Sequence, residues 1–516
     1  MAGLKNADDY ANGERFKGAG IFGVLSLGVG VVATVVFFLV VILNRETVVD
    51  LGGGHTEAVS VTKCLAFSWL FAVVFFLSIA VGGMFWTMLH HATNSGWGTL
   101  VRRLMENLGI MIPVLLFLSL PLVLKQVGFR DVLWEWFKDR AAAEVVAEEK
   151  AEEKKGVYIA EIRGKAEAVK SEIAEVEKIK AAGGDITPGV ARFYDDQIEE
   201  LTEKSKVLSA HAEMEDEALV EELKGKEFQK VNALLYAKRS YLEENFWLLR
   251  FVLYAVVLGG GMYLLRSTSL KQDKTGDPRL FTRMQTMSCL ILLPFAVAWT
   301  FLVFDWLMAL DYSWFSTMWG VYLFAGAALN SMGVLVLILS ALRRAGYLTD
   351  VITKEHYHMM GKLMHAFVIF WAYIAFSQFF LIWYANITEE TKFFLTRNTG
   401  FWNVYTIMFL VIGHFFIPFI VLLIRYHKTT TWIICSVAVW NLFMHFFDIY
   451  WIVIAERAPS LVAGEVTHIP KMWMFDLLAF VGVGGIFIFA LLKALGSASL
   501  FPCRDPRLDE SLNLTN

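Results

Sequence analysis

The sequence predicts an all-α polytopic membrane protein that also carries a long helical hairpin outside the membrane. Its 516 residues are 56% hydrophobic, and the apolar residues are concentrated in long stretches. A helix needs about 20 apolar residues to cross the hydrocarbon core of a bilayer. About ten stretches approach or exceed that length, at residues 18–43, 62–90, 108–124, 246–265, 287–309, 315–342, 363–385, 402–424, 431–455 and 472–492. This composition excludes a soluble domain.

The basic residues indicate how the spans are oriented. With ten spans both termini lie on one side, and the loops on that side carry most of the Lys and Arg residues, including Arg102, Arg103 and Arg343. The opposite short loops carry fewer: Arg45, Lys63, Lys392, Arg397, Arg457 and Lys471. Because cytoplasmic loops are enriched in Lys and Arg, we expect both termini in the cytoplasm. His90 and His91 end the second span on that side and are expected among the wet headgroups.

Residues 125–244 interrupt the spans with a segment rich in Glu, Lys and Ala. Its apolar residues recur at steps of three and four, as in a coiled-coil seam: Ile159, Ile162, Ala166, Val169, Ile173 and Val176. A helix break follows at Gly183, Gly184, Thr187, Pro188 and Gly189, and then a second helical run with Phe193, Ile198, Leu201, Leu208, Leu223 and Val231. The pattern predicts a hairpin on the non-cytoplasmic side. We expect it to dock extramembrane subunits, with a solvated spacer as the alternative.

The eighth and ninth spans place ionisable residues at mid-depth. His414 lies near the middle of one span and His445 near the middle of the other. Asn441, His445 and Asp448 share one face of the ninth span because they follow each other at helical spacing. Ionisable groups at this depth are costly without a polar partner or water. They therefore indicate a proton or quinone path, although an interhelical hydrogen bond that holds the bundle together explains them too.

The cysteine pattern argues against a redox centre in this chain. Cys64, Cys289, Cys435 and Cys503 are isolated and form none of the closely spaced motifs of iron–sulfur clusters or c-type haem. We therefore expect no metal or haem in this chain, and no disulfide framework.

Several long motifs resemble the NrfD-like membrane subunits of Alternative Complex III, a quinol:cytochrome c oxidoreductase. They are YAKRSYLEENFWLLR at residues 236–250, TGDPRL at 275–280, FDWLMALD at 304–311 and FWAYIAFSQFFLIWYANI at 370–387. A constellation joins them: His414, Pro418, Arg425, His445, Asp448, Tyr450 and Trp451. The resemblance implies two four-helix bundles, spans two to five and six to nine, flanked by the first and tenth spans. The chain then divides into residues 1–124, 125–244, 245–310, 311–456 and 457–516.

The resemblance also implies a function within a multisubunit enzyme, with no activity of the chain alone. Quinol would be oxidised, and electrons would pass through iron–sulfur and multihaem c-type cytochrome subunits to cytochrome c or an oxidase. The expected partners are those subunits, a sibling NrfD-like subunit and membrane lipid, but no nucleic acid. The expected location is the bacterial inner membrane, with the hairpin in the periplasm.

Two groups of residues are candidates for the chemistry. His414, His445 and Asp448 are expected to form a proton path, with His365 as an extension toward the cytoplasm. A quinone or quinol molecule, if this subunit binds one, is expected at the non-cytoplasmic end near Asp305, Trp306 and Tyr384.

Three other functions remain open on sequence alone. One is the membrane anchor of a polysulfide- or nitrite-reductase-type complex, and another is a haem-b quinol-oxidising anchor with His414 and His445 as ligands. A secondary transporter is the third, although no inverted repeat or pair of broken helices indicates it.

Overall fold

The computed structural model describes residues 5–18, 20–43, 48–49, 59–182, 187–457 and 473–515. Within these ranges, ten helical spans are long and apolar enough to cross a membrane, as the sequence predicts. They are numbered here spans 1 to 10: Ile21–Leu43, Val61–Ala92, Thr99–Val123, Glu244–Thr275, Pro278–Leu310, Trp319–Arg344, Lys354–Ala385, Gly400–Leu423, Thr431–Glu456 and Trp473–Gly496. The all-α polytopic fold class is confirmed.

Several spans extend beyond their apolar stretches. Span 3 begins at Thr99, whereas the apolar stretch begins at residue 108, because the charged residues of its first turns are paired inside the protein. Span 7 similarly begins at Lys354 and not at residue 363. The helices therefore include charged turns that a hydrophobicity criterion assigns to loops.

Some spans contain more than one helical segment. Span 3 is divided into Thr99–Gly109, Ile112–Leu118 and Leu120–Val123. Span 4 has a π-helical turn at Ala255–Gly260, and span 8 has a longer π-helical segment at Thr406–Phe416. The remaining segments of these and other spans are Glu244–Tyr254, Gly261–Thr275, Pro278–Trp306, Met308–Leu310, Gly400–Tyr405, Ile417–Leu423, Thr431–Val453 and Ile454–Glu456.

Short elements connect the spans. The helical ones are Ala7–Tyr10, Lys125–Val127, Arg130–Leu133, Thr388–Arg397, Arg425–Thr429 and Leu508–Leu512. Two strands of two residues each, Val48–Val49 and Val59–Ser60, pair antiparallel. The predicted loop residues Arg45 and Lys471, and residues 458–472 as a whole, lie outside the described ranges.

Span 2 is the centre of the membrane unit. The most apolar 18-residue stretch of this helix is entirely buried, and the helix packs against spans 3, 5, 6, 9 and 10. Spans 2 to 5 form one four-helix bundle, and spans 6 to 9 form the other. Span 1 packs along span 10, where Gly30 and Gly485 bring the two backbones into close approach. The two bundles and the flanking pair agree with the expected arrangement.

Residues Trp136–Phe246 form a separate compact unit. Its helices are Trp136–Ala182, Pro188–Ala212, Asp216–Val231 and Ala233–Ala237. The unit starts later than residue 125 because helix Arg130–Leu133 packs on span 2. The predicted break at Gly183 and Gly184 lies outside the described residues.

The first arm of this hairpin buries the predicted seam at Ile162, Ala166 and Val169. The seam continues toward the N-terminus through three alanines, Ala143, Ala147 and Ala151, which the sequence analysis did not select. The second arm differs from the prediction because it is two helices and not one run. Leu223 is buried there, whereas Phe193 is 58% exposed.

Candidate functional site

One ring nitrogen of His445, in span 9, is hydrogen-bonded, and the other has no hydrogen-bond partner within the described part of the chain. Its Nε2 lies 2.8 Å from Oγ of Ser78 in span 2. The single hydroxyl hydrogen of Ser78 is donated to the carbonyl of Phe75 at 2.7 Å, so Ser78 accepts from the His445 Nε2–H. The lone pair of a neutral His445 is thereby placed on Nδ1, which has no hydrogen-bond partner among the described residues.

Asp448 lies one turn further along span 9 and is also buried. Tyr322 of span 6 donates its hydroxyl to one carboxylate oxygen, and Trp371 of span 7 donates its indole N–H to the other at 3.2 Å. The second oxygen lies 3.9 Å from Nδ1 of His445. Among the described residues, Asp448 forms no ion pair with a Lys or Arg side chain.

His414 completes the group from span 8. Its ring lies against Trp371, with the ring centroids 3.9 Å apart, and neither ring nitrogen has a hydrogen-bond partner within the described part of the chain. The residue belongs to the π-helical segment Thr406–Phe416, and π-helical turns occur frequently at functional sites. One donor atom each from His414, His445 and Asp448 lie within 4.8 Å of one another. We call these three residues the mid-membrane cluster.

The predicted extension, His365, stands apart from the cluster. It lies six residues before Trp371 in span 7, roughly 9 Å along the helix. Its ring stacks on Phe419 at 5.3 Å, and its Nδ1 is buried without a hydrogen-bond partner among the described residues. Intervening water would have to join it to His414.

Two buried amides accompany the cluster. Gly326 lies against His445, and Gly333 lies against Ala438, so Asn330 of span 6 is at the level of Asn441 of span 9. Both polar atoms of Asn441 and the Oδ1 of Asn330 have no partner among the described residues. Buried polar groups normally have partners, so this level of the bundle favours bound water or another polar ligand.

The sequence analysis identified the three cluster residues but not the groups around them. Ser78 and Tyr322 come from spans 2 and 6, and no local spacing connects them with Asp448. A polar residue within an apolar span was the available signal, but it is too common to single out these two.

The second set of predicted residues is divided between two places. Asp305 is buried and accepts from Arg250 Nε and Nη2, both at 2.8 Å, and from the Tyr254 hydroxyl at 2.5 Å. Trp306 is buried beside it, whereas Tyr384 is 77% exposed on span 7. Among the described residues, no ring contact or hydrogen bond joins Tyr384 to Asp305 or Trp306. Asp305 is therefore held in a bidentate ion pair inside the first bundle.

A network of buried charges that the sequence analysis did not identify lies at the start of span 3. Its arginines and carboxylates are equal in number: Arg102, Arg103, Arg266, Glu106, Asp273 and Asp505. Arg102 pairs with Asp505 at 2.5 Å, and Arg103 pairs with Asp273 at 2.6 Å. Ser269 donates to Glu106 at 2.8 Å. This balance of charges explains how a helix with such residues is buried.

His90 and His91 belong to the same end of the bundle and correct one expectation. Both are buried rather than placed at a wet surface. His90 Nδ1 bonds the carbonyl of Trp86 at 2.7 Å, and both ring nitrogens of His91 are without a hydrogen-bond partner among the described residues. Arg102 and Arg103 are likewise internal, so they are weak evidence for the orientation of the termini, which stays a prediction.

Another buried carboxylate, Asp476 of span 10, lies on the other side of span 9. Arg457 pairs with it, Tyr450 donates to it at 2.9 Å, and Ser68 of span 2 donates at 2.6 Å. Burial by itself lowers the pKa of the Arg457 guanidinium, but the facing carboxylate outweighs burial and the pKa lies above its usual value. Unlike Asp448, this carboxylate has a cationic partner, so it has the character of a structural ion pair.

Comparisons with protein-family models and with curated proteins give no match to this chain.

Proposed function

We propose that this chain is an integral membrane subunit of a respiratory quinol:cytochrome c oxidoreductase, corresponding to the second NrfD-like subunit of Alternative Complex III. It supports quinol oxidation and transfers protons through the membrane. The observation that carries the proton role is the mid-membrane cluster. Among the described residues, its carboxylate has no cationic partner, and ring nitrogens of both its histidines have no hydrogen-bond partner. The wider assignment is supported by the motifs that resemble that family.

The cluster has the chemistry of a proton relay. The reference pKa of histidine is about 6.5, so an imidazole both accepts and donates protons near neutrality. Nδ1 of His445 and the facing oxygen of Asp448 both present lone pairs across a gap of 3.9 Å. A proton in that gap relieves their repulsion, and one water molecule is enough to bridge the two atoms.

The surroundings favour transfer over simple cohesion of the helices. A structural hydrogen bond would pair the ring nitrogens, yet His414 has neither nitrogen paired within the described chain. Tyr322 and Ser78 connect the cluster to spans 6 and 2. The Asn441 amide and the Asn330 Oδ1, which have no partner among the described residues, offer sites for water. His365 lies on the route that we propose toward the cytoplasm.

Electrons would be carried elsewhere in the assembly. We assign the redox centres to iron–sulfur and multihaem cytochrome subunits because the cysteine pattern offers no ligand motif for them. The orientation with cytoplasmic termini, the periplasmic hairpin and the bacterial inner membrane belong to the same proposal. A quinone site near Asp305, Trp306 and Tyr384 stays a prediction.

The test uses the purified complex in vesicles, with quinol oxidation and proton release measured together. His414→Phe and Asp448→Asn are expected to reduce proton release roughly 100-fold, the scale of a lost proton-transfer group, or to uncouple it from oxidation. His427→Phe is the matched control, because His427 follows span 8 and bonds the carbonyl of Val421. Full turnover with unchanged proton stoichiometry in both variants would reduce the cluster to a structural role.

A further inference from the structure

The mid-membrane cluster has the donor set of a metal site. Two imidazoles and one carboxylate converge from spans 8 and 9, with one donor atom of each within 4.8 Å of the others. All three side chains are at least 99% buried. The other buried carboxylates described above, Asp305, Asp476, Glu106 and Asp505, each face an arginine. No Lys or Arg of the described chain pairs with Asp448.

We propose that His414, His445 and Asp448 bind one Zn²⁺ ion and that the bound ion blocks the proton path. Imidazole and carboxylate are ligands that Zn²⁺ takes in three-ligand sites, where water or another small ligand fills the fourth position. A divalent cation also supplies the positive charge that the buried carboxylate lacks. The effect on proton transfer rests on the proposed function, whereas the binding itself does not.

The distances require only a modest contraction. Tetrahedral bonds of about 2.0–2.1 Å place ligand atoms about 3.4 Å apart. The His445 Nδ1 and Asp448 oxygen are 3.9 Å apart, and no pair of donors exceeds 4.8 Å. Small side-chain rotations therefore bring the donors to bonding distance without displacing a helix.

The groups behind the ligands fit a metal site as well. Histidines that bind metal usually donate their second N–H to an oxygen, which fixes the tautomer and orients the ring. Ser78 receives the Nε2–H of His445 and leaves Nδ1 available for the ion. Trp371 and Tyr322 orient the carboxylate of Asp448 by donating hydrogen bonds to its two oxygens.

The binding test uses the full chain, purified and freed of metal, with Zn²⁺ or Co²⁺ alone as the probe. We expect one more tightly held Zn²⁺ per chain than in His414→Phe, and visible absorption bands of tetrahedral Co²⁺ that this variant lacks. Ser78→Ala should keep the site but weaken its affinity about 10–100-fold, the effect of losing a supporting hydrogen bond. His365→Phe is the matched control, since it removes a partly buried histidine outside the cluster.

Weak surface binding provides the baseline for this comparison. His211 and Glu222 form a pair in the hairpin, and any Zn²⁺ that they bind should be equal in all variants. Mg²⁺ should not compete, because it prefers oxygen ligands in octahedral geometry. Equal Zn²⁺ stoichiometry and equal Co²⁺ spectra in wild type and His414→Phe would overturn the metal site.

Proton release in vesicles separates this inference from the proposed function. Zn²⁺ should inhibit release from the wild-type complex, and His414→Phe should already be impaired without it. If the chain binds Zn²⁺ at the cluster and proton release is unaffected by both Zn²⁺ and His414→Phe, the metal site stands and the proton path fails. If release depends on His414 but Zn²⁺ does not bind there, the proton path stands and the metal site fails.

Discussion

Asp448 is the residue on which the proposed chemistry of the second bundle depends. Burying a carboxylate without a cationic partner costs free energy, and hydrogen bonds to the carboxylate offset part of that cost. Tyr322 and Trp371 supply those bonds from two different spans. The three residues thus hold one charged or protonated group at a fixed position between spans 6, 7 and 9.

Tyr322→Phe tests this support. The substitution keeps the ring that stacks on Trp319 at 5.0 Å but removes the hydroxyl that donates to Asp448. We expect a loss of about 1.5–3 kcal/mol in the free energy of unfolding, typical of a hydrogen bond to a charged group, together with slower proton release. Tyr373→Phe, at a site that is 64% exposed, should leave both quantities unchanged. Proton release at the wild-type rate in Tyr322→Phe would contradict a role for this hydroxyl.

Asp305 has a different environment and is expected to behave differently. Arg250→Met or Asp305→Leu alone leaves a buried charge unpaired and should lower the free energy of unfolding by about 3–5 kcal/mol. The double variant should recover much of this loss. It should not recover all of it, because the hydrogen bond from the Tyr254 hydroxyl to Asp305 is also removed. Denaturant unfolding of the four proteins measures the coupling. A change in quinol affinity with unchanged stability would instead favour the quinone site predicted here.

These residues show what sequence can and cannot supply at this scale. His445 and Asp448 were recognised because helical spacing places them on one face of the same span. Their partners Ser78 and Tyr322 are contributed by distant spans, and the register between spans is determined by packing that no local pattern encodes. The pairing of Asp305 with Arg250 was missed for the same reason.

At the scale of helices, close packing of spans 6 and 9 positions the cluster. Gly326 has no side chain, and a Cβ there would lie 3.2 Å from Cε1 of His445. The ten spans were predictable because twenty apolar residues have few alternatives to a membrane helix. The start of span 3 was not, because Arg102 and Arg103 resemble loop residues until their buried carboxylate partners are known.

Gly326→Ala is predicted to disturb the cluster without unfolding the bundle. The new methyl group must displace the His445 ring by a few tenths of an ångström, so we expect reduced proton release and weaker Zn²⁺ binding. Gly28→Ala in span 1 is the matched control, since a Cβ there meets nothing within 4 Å. Both substitutions replace Gly with Ala, a better helix former, which favours the helical conformation by about 1 kcal/mol. Equal proton release in the two variants would show that the close approach of Gly326 to His445 has no functional effect.

At the scale of the whole molecule, the chain combines a membrane unit with a hairpin that has its own internal contacts. Within the hairpin, Arg140 donates to the carbonyls of Arg239, at 2.8 Å, and Leu242, while Arg163 pairs with Asp216 at 2.6 Å. Lys154 lies 3.1 Å from Glu227. These contacts join the two arms at several levels, so the hairpin is an ordered element, which the docking role that we propose requires.

Deleting residues 144–230 and closing the gap with a short linker tests that role. Arg140 and its carbonyl partners remain, so the base of the hairpin still has a contact that brings the two chain ends together. The mid-membrane cluster lies wholly outside the deleted residues. We therefore expect the ten spans to insert, Zn²⁺ binding at the cluster to persist, and recovery of the peripheral haem and iron–sulfur subunits to fall. The readouts are membrane insertion, haem and iron content of the purified complex, and quinol oxidation.

Arg163→Glu is a less disruptive variant for the same test. It places a second negative charge opposite that of Asp216 in the hairpin and should reduce recovery of the peripheral subunits less than the deletion does. Normal haem and iron content after the deletion would exclude the docking role, whereas loss of membrane insertion would show that the hairpin is needed for folding.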